Sequence, residues 1–110
     1  MTSEKVITEG SGNVFADLGY PDAEEHQAKA RLVGQIADIV EERGLTHVQA
    51  AELFGIDPAR VSGLLNGRFR GFSVFRLMRF IAALGRDVEI VTKKTARQSS
   101  SNEAGHISVR

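Results

Sequence analysis

The chain contains no cysteine, which excludes disulfides and any zinc site built on thiolates. No apolar run approaches the roughly 20 residues needed to cross a bilayer, so no membrane partner is expected. The opening MTSEKVITEGSGNVF lacks the apolar centre of a signal peptide, and a cytoplasmic location is the default expectation. There is no Gly-rich phosphate loop and no nucleophile elbow. His26, His47 and His106 fall on separate segments without metal-ligand spacing. Glu24 and Glu25 sit where a helix begins, a place carboxylates favour because they complement the dipole. These absences argue against an enzyme: no catalytic residue, no metal ligand and no cofactor are expected.

Net charge is also absent, with 14 Lys and Arg against 14 Asp and Glu. The distribution is nonetheless uneven. Residues 1–57 hold four basic against eleven acidic side chains, whereas residues 58–97 hold nine against two. An acidic part and a basic part are therefore expected, the basic one suited to a polyanion. At 110 residues the chain is long enough for one small domain with one core.

Residues 1–20 are polar and Gly-containing at first and read as a flexible arm. Within them NVFADLGY places Val14, Phe15, Leu18 and Tyr20 without helix punctuation, an apolar segment fit to dock on a core or a partner. A first helix is expected after Pro21, with Asp22 as N-cap and Glu25 completing a capping-box pattern. Ala28, Leu32, Val33, Ile36, Ile39 and Val40 recur at spacings of three and four and give it one apolar face. Gly44 ends it. Thr46 with Gln49 opens a second helix, whose stripe is Ala50, Ala51 and Phe54, and Gly55 closes it. Asp57 caps a third helix with Pro58 at its first position, and Val61, Leu64 and Leu65 turn inward. Ser73 caps a fourth, carrying Val74, Leu77, Met78, Ile81 and Leu84. Phe69, Phe72, Phe75 and Phe80 read as core rather than as base-stacking groups. Ile56 with Val61, and Phe72 with Leu77, have the spacing of hydrophobic staples.

After Gly85, DVEIVTK alternates in the manner of a strand. A lone strand is unstable, so residues 86–94 are expected to pair with the C-terminal tail, with the NVFADL segment, or with the same strand of a second copy. Residues 95–110 read as a polar linker followed by a weak strand, GHISVR, or a disordered tail.

The most specific signal is AELFGIDPARVSGLLNG, residues 51–67. Two short helices meet across a sharp bend. Ala51 is small enough for the crossing, Gly55 tolerates the turn, and Val61 and Leu64 face inward. LTHVQAAELFGIDPARVSGLLNG with FSVFRLMRFIAALG after it resembles the phage-repressor-like (Cro/cI, or XRE) helix-turn-helix family. The flanking GNVFADLGYPDAEEHQAKARL and LGRDVEIVTKK are similar to the HigA-type antitoxins of that family, which accompany RelE/HigB-like ribonuclease toxins. The resemblance implies a mainly α, four-to-five-helix domain over residues 21–85 with a C-terminal β-strand or hairpin used in dimerisation.

It also implies function. The third helix would lie in the major groove of a palindromic operator with its N-terminal residues at the base edges. Base reading falls on Arg60, Ser62, Ala59 and Gly63, of which Arg60 is the one long donor, able to grip guanine O6 and N7. Phosphate contacts fall on Thr46, His47, Asn66, Arg68 and Arg70, with Arg76 and Arg79 weaker candidates. Relatives commonly have Gln at the position of His47 and a longer side chain at that of Gly63. The homodimer interface would use Val88, Ile90 and Val91, and Val14, Phe15, Leu18 and Tyr20 would bind the toxin. A stand-alone XRE-type regulator, or an interaction module of the same fold that does not bind DNA, are the alternatives.

Overall fold

The computed structural model describes residues 20–94 and 104–110. Four helices follow one another: α1 (Tyr20–Glu42), α2 (His47–Phe54), α3 (Pro58–Leu65) and α4 (Val74–Ala83). α1 begins three residues earlier than an N-cap at Asp22 implies. Asp22 lies inside the first turn instead of capping it, where its charge still favours the helix N-terminus. Pro21 is also within that turn, where a missing N–H costs no hydrogen bond.

The other three starts follow local chemistry. The Gln49 N–H donates to Thr46 Oγ1 at 3.1 Å and the Thr46 N–H donates back to Gln49 Oε1 at 2.9 Å, a complete capping box. The Ala59 N–H donates to Asp57 Oδ1 at 2.9 Å, with Pro58 at the first helical position. The Arg76 N–H donates to Ser73 Oγ at 3.0 Å.

α1 lies against α4 and α3, and α2 lies against α3 and α4. Ile36, Val61, Leu64 and Leu77 are fully enclosed, each at 0 % exposure. Leu32, Val33, Ile39, Val40, Ala50, Ala51, Phe69, Phe72, Phe80, Ile81 and Leu84 complete the core. Phe54 and Leu65 are only half-buried and flank it, Phe54 stacking on Phe80 with ring centroids 4.4 Å apart. Phe75 departs from the expected core set. It is 64 % exposed, because the buried stripe of α4 runs through Leu77, Phe80 and Ile81, and one residue step turns a helix about 100° away from such a stripe. At the far end, Arg43 Nη1 donates to the Leu84 carbonyl at 2.9 Å and Arg86 meets Glu42 at 2.6 Å. The ends of α1 and α4 are thereby joined.

Two expectations about the C-terminal part need correction. Residues 86–94 form no strand, and no strand occurs among the described residues. The expected pairing surface, Val88, Ile90 and Val91, is exposed, the last two at 77 %. A strand exists through its ladder, and the described residues of one chain offer this segment no edge to pair with. Residues 104–110 form no strand either. They lie along α1: His106 Nδ1 is 2.7 Å from Glu24 Oε2, the Ile107 N–H donates to Glu24 Oε1 at 3.4 Å, and Gln35 Nε2 donates to the Arg110 carbonyl at 2.5 Å. Val109 packs against the core. An extended segment advances about 3.3 Å per residue and a helix about 1.5 Å. So the steps from His106 to Arg110 and from Glu24 to Gln35 cover similar lengths, and the tail runs parallel to α1.

Candidate nucleic-acid interface

The bend between α2 and α3 is made by one residue in a left-handed conformation. Gly55 has φ 73°, a region that L side chains enter only at a cost. Its N–H and that of Ile56 both donate to the Ala51 carbonyl, at 2.8 and 3.1 Å, satisfying the end of α2 inside the turn. Ala50 and Ala51 are buried at 0 and 3 % exposure, so their small side chains are what the neighbouring helices pack against. α3 is seated by Val61 and Leu64. With those two inward, Pro58, Ala59 and Arg60 stand exposed on the N-terminal half of α3. This is the half expected to approach base edges.

The second half of α3 presents less. Ser62 and Gly63 are only partly exposed. A Cβ on Gly63 would touch the stem of Arg68, 3.7 Å from its Cδ and 3.8 Å from its Cβ. The missing side chain is thus the space across which Arg68 lies. The Arg68 N–H donates to the Gly63 carbonyl at 2.8 Å, which anchors the loop after α3 to the helix itself. Asn66 Nδ2 donates to the Ser62 carbonyl at 2.9 Å. Asn66 therefore closes the end of α3, and its amide is engaged within the chain.

Thr46 and His47 stand exposed at the start of α2. The Thr46 hydroxyl accepts the cap bond, which leaves its own O–H as a donor for a neighbouring acceptor. Arg70 is placed differently from Arg68. Its carbonyl accepts from Lys29 Nζ at 3.3 Å, and with Asp22, Glu25, His26 and Lys29 it lines a shallow cleft against the first half of α1. Lys29 also meets Glu25 at 3.2 Å. Arg70 shares this cleft with the carboxylates of Asp22 and Glu25. The structure thus assembles Thr46, His47, Ala59, Arg60 and Arg68 on and around the two helices of the bend. Val14, Phe15 and Leu18 lie outside the described residues, and Tyr20 is the first residue of α1.

One group was undervalued in sequence. The Arg60 guanidinium carbon lies 4.6 Å from the centroid of the Phe72 ring, and that of Arg76 lies 5.2 Å from the same centroid and 5.7 Å from that of Phe80. Such distances are those of cation–π contacts. Arg76 thus joins Arg60 in one basic cluster. The spacing of Phe72 and Arg76, four residues apart at the start of a helix, was the available signal; the approach of Arg60 had none.

A family profile described as a helix-turn-helix domain matches residues 14–93. A solved structure described as a "Putative XRE Family Transcriptional Regulator" is 44 % identical over 81 % of this chain and 97 % of its own, with a TM-score of 0.71. No curated protein matches the chain. None of the described helices is long and apolar enough to cross a membrane. The bend at Gly55, the exposed N-terminal half of α3 and these two matches agree: the chain belongs to the helix-turn-helix family of XRE type.

Proposed function

We propose that the protein is a sequence-specific, DNA-binding transcriptional repressor that works as a homodimer on a palindromic operator. The observation that carries this reading is the seating of α3: Val61 and Leu64 are sunk in the core, which leaves Ala59 and Arg60 exposed, and Arg68 is exposed after the helix end. A helix so held can enter a major groove with Arg60 at the base edges and Arg68, Thr46 and His47 at the flanking phosphates. The similar XRE-type regulator supports the same role. Exposed Ile90 and Val91 support dimerisation through residues 86–94, since an apolar unpaired segment gains a ladder by meeting its own copy. Two-fold symmetry then sets two α3 helices on successive turns of the duplex.

Titration of a labelled operator duplex against a scrambled one, over a range of salt concentrations, tests the reading. Arg68→Ala is expected to weaken binding to both duplexes alike and to reduce the slope of log K on log salt by about 0.9 per protomer. A chain that binds neither duplex, or binds both equally, refutes sequence-specific repression.

Within this function we assign the chain the part of antitoxin in a type II pair with a RelE/HigB-like ribonuclease toxin, whose expression it represses together with its own. The acidic balance of residues 1–57 supports this, because a ribonuclease that grips RNA presents a basic surface. The apolar Val14, Phe15, Leu18 and Tyr20 supply anchors for a segment that folds on its partner. Removing residues 1–20 is expected to abolish toxin binding and to spare operator binding. Equal toxin affinity of the full and shortened chains would exclude the arm, and a full chain without toxin affinity would leave a stand-alone regulator.

A further inference from the structure

We propose that Phe72 is a positioning residue for base reading: its ring holds the Arg60 guanidinium as a stacked, pre-aligned fork. The inference rests on the DNA-binding role proposed above. Phe72 lies in the loop before α4 and is only 3 % exposed. Its ring meets Phe80 edge-on, centroids 5.7 Å apart at 70°, and Phe80 stacks on Phe54 of α2 at 4.4 Å and 16°. A line of three rings therefore runs from α2 through α4 to the loop, and Arg60 of α3 caps it at 4.6 Å from the last centroid. The outermost ring is buried and packed against Phe80, so the guanidinium that covers it rests on a surface referred to both helices of the bend.

Stacking is the contact that leaves an arginine able to read. A guanidinium is planar and weakly hydrated. Its flat face meets an aromatic ring while its N–H groups radiate in plane, where they remain available for two parallel bonds to guanine O6 and N7. A free arginine at the same position would sample many rotamers and surrender that freedom on binding. Arg76 sharpens the arrangement. Its guanidinium lies 5.2 Å from the same centroid, and like charges repel, which disfavours a slide of Arg60 along the ring toward α4. The position has no base reader of comparable length to replace Arg60: the rest of the outward face is Pro58, Ala59, Ser62 and Gly63. Alignment of one side chain then decides much of the discrimination.

Base reading and overall affinity are expected to respond separately to loss of the ring. The probe is the duplex that the full chain itself selects from a randomised pool, compared with a scrambled duplex of equal composition. Phe72→Leu keeps an apolar side chain but removes the ring. It is expected to lower the selected-to-scrambled affinity ratio by about tenfold, inside the range of a lost bidentate contact, with the salt slope unchanged. Phe72→Tyr, which retains the ring, is expected to keep the ratio. In an Arg60→Ala background Phe72→Leu is expected to cost nothing further. A folded Phe72→Leu protein with the wild-type ratio, or an equal loss in the Arg60→Ala background, overturns the proposal while leaving DNA binding intact. If Arg60→Ala itself keeps the full ratio, the assignment of Arg60 as reader fails instead. Should Phe72→Leu unfold, the Arg60 side-chain Nε–H resonance of the unaltered protein decides. A ring-current shift present both free and on the selected duplex supports the stack, and an unshifted resonance in either state refutes it.

Discussion

Replacing Leu64 with alanine is expected to lower the free energy of unfolding by about 3 kcal/mol, within the range for truncating a fully enclosed leucine. Leu64 is 0 % exposed. α3 has only eight residues, too few turns to be stable on propensity alone. It stays helical because its cap at Asp57 starts it and because Val61 and Leu64 fasten it to the core. Removing most of one of two fasteners leaves a cavity at the base of the helix that must hold its shape against DNA. The melting temperature is expected to fall by roughly 10–20 °C for a domain this small. Thermal and urea unfolding followed by circular dichroism measure it. Phe75→Ala, at a position 64 % exposed, serves as the matched control and is expected to change stability by less than about 1 kcal/mol. A Leu64→Ala protein as stable as that control would mean that α3 is not held by the core in the way described.

The second large effect lies in binding. Arg60→Ala is expected to weaken operator affinity by about 1–3 kcal/mol and to relax the preference for the operator over scrambled DNA. The same substitution should change the melting temperature little, since it gives up a cation–π contact worth about 0.5–1 kcal/mol at an exposed site. The two variants therefore dissociate the two properties. Leu64→Ala lowers stability first, and Arg60→Ala lowers recognition with stability nearly intact. Fluorescence anisotropy on both duplexes alongside a melting curve distinguishes them. Unaltered discrimination by Arg60→Ala would remove Arg60 from the reading face.

The sequence made the bend legible because its determinants are local. Thr46 with Gln49, Asp57 with Pro58, and Ser73 act on backbone groups two or three residues away, and all three caps form. The core was legible through its period, from Ala28 to Val40 and again from Leu77 to Leu84. What could not be read depends on contacts between distant residues. Arg60 over Phe72 needs the relative placement of α3 and the following loop. Arg70 beside Asp22 and Glu25 needs the placement of α1. Residues 88–93 alternate as a strand does, yet alternation states only a capacity, and a ladder requires a second edge. Phe75 was misread because four phenylalanines close together look alike in composition, whereas a helix separates them by angle.

The tail along α1 belongs to a different tier of stability from the bundle it lies on. Its polar contacts are His106 and the Ile107 N–H with Glu24 and the Arg110 carbonyl with Gln35, and the His106 side chain is 75 % exposed. Exposed pairs of this kind contribute at most about 1 kcal/mol, and closing them joins residues 82 and 75 positions apart, which chain entropy opposes. Among its described residues, Val109 is the apolar anchor in the core. The tail is therefore expected to detach and reseat many times during one lifetime of the folded helices, and hydrogen exchange is expected to show its amide protons exchanging while those around Leu64 stay protected. The surface of α1 between Glu24 and Gln35 is thus shielded only for part of the time, and it is uncovered without any change in the helices that meet DNA.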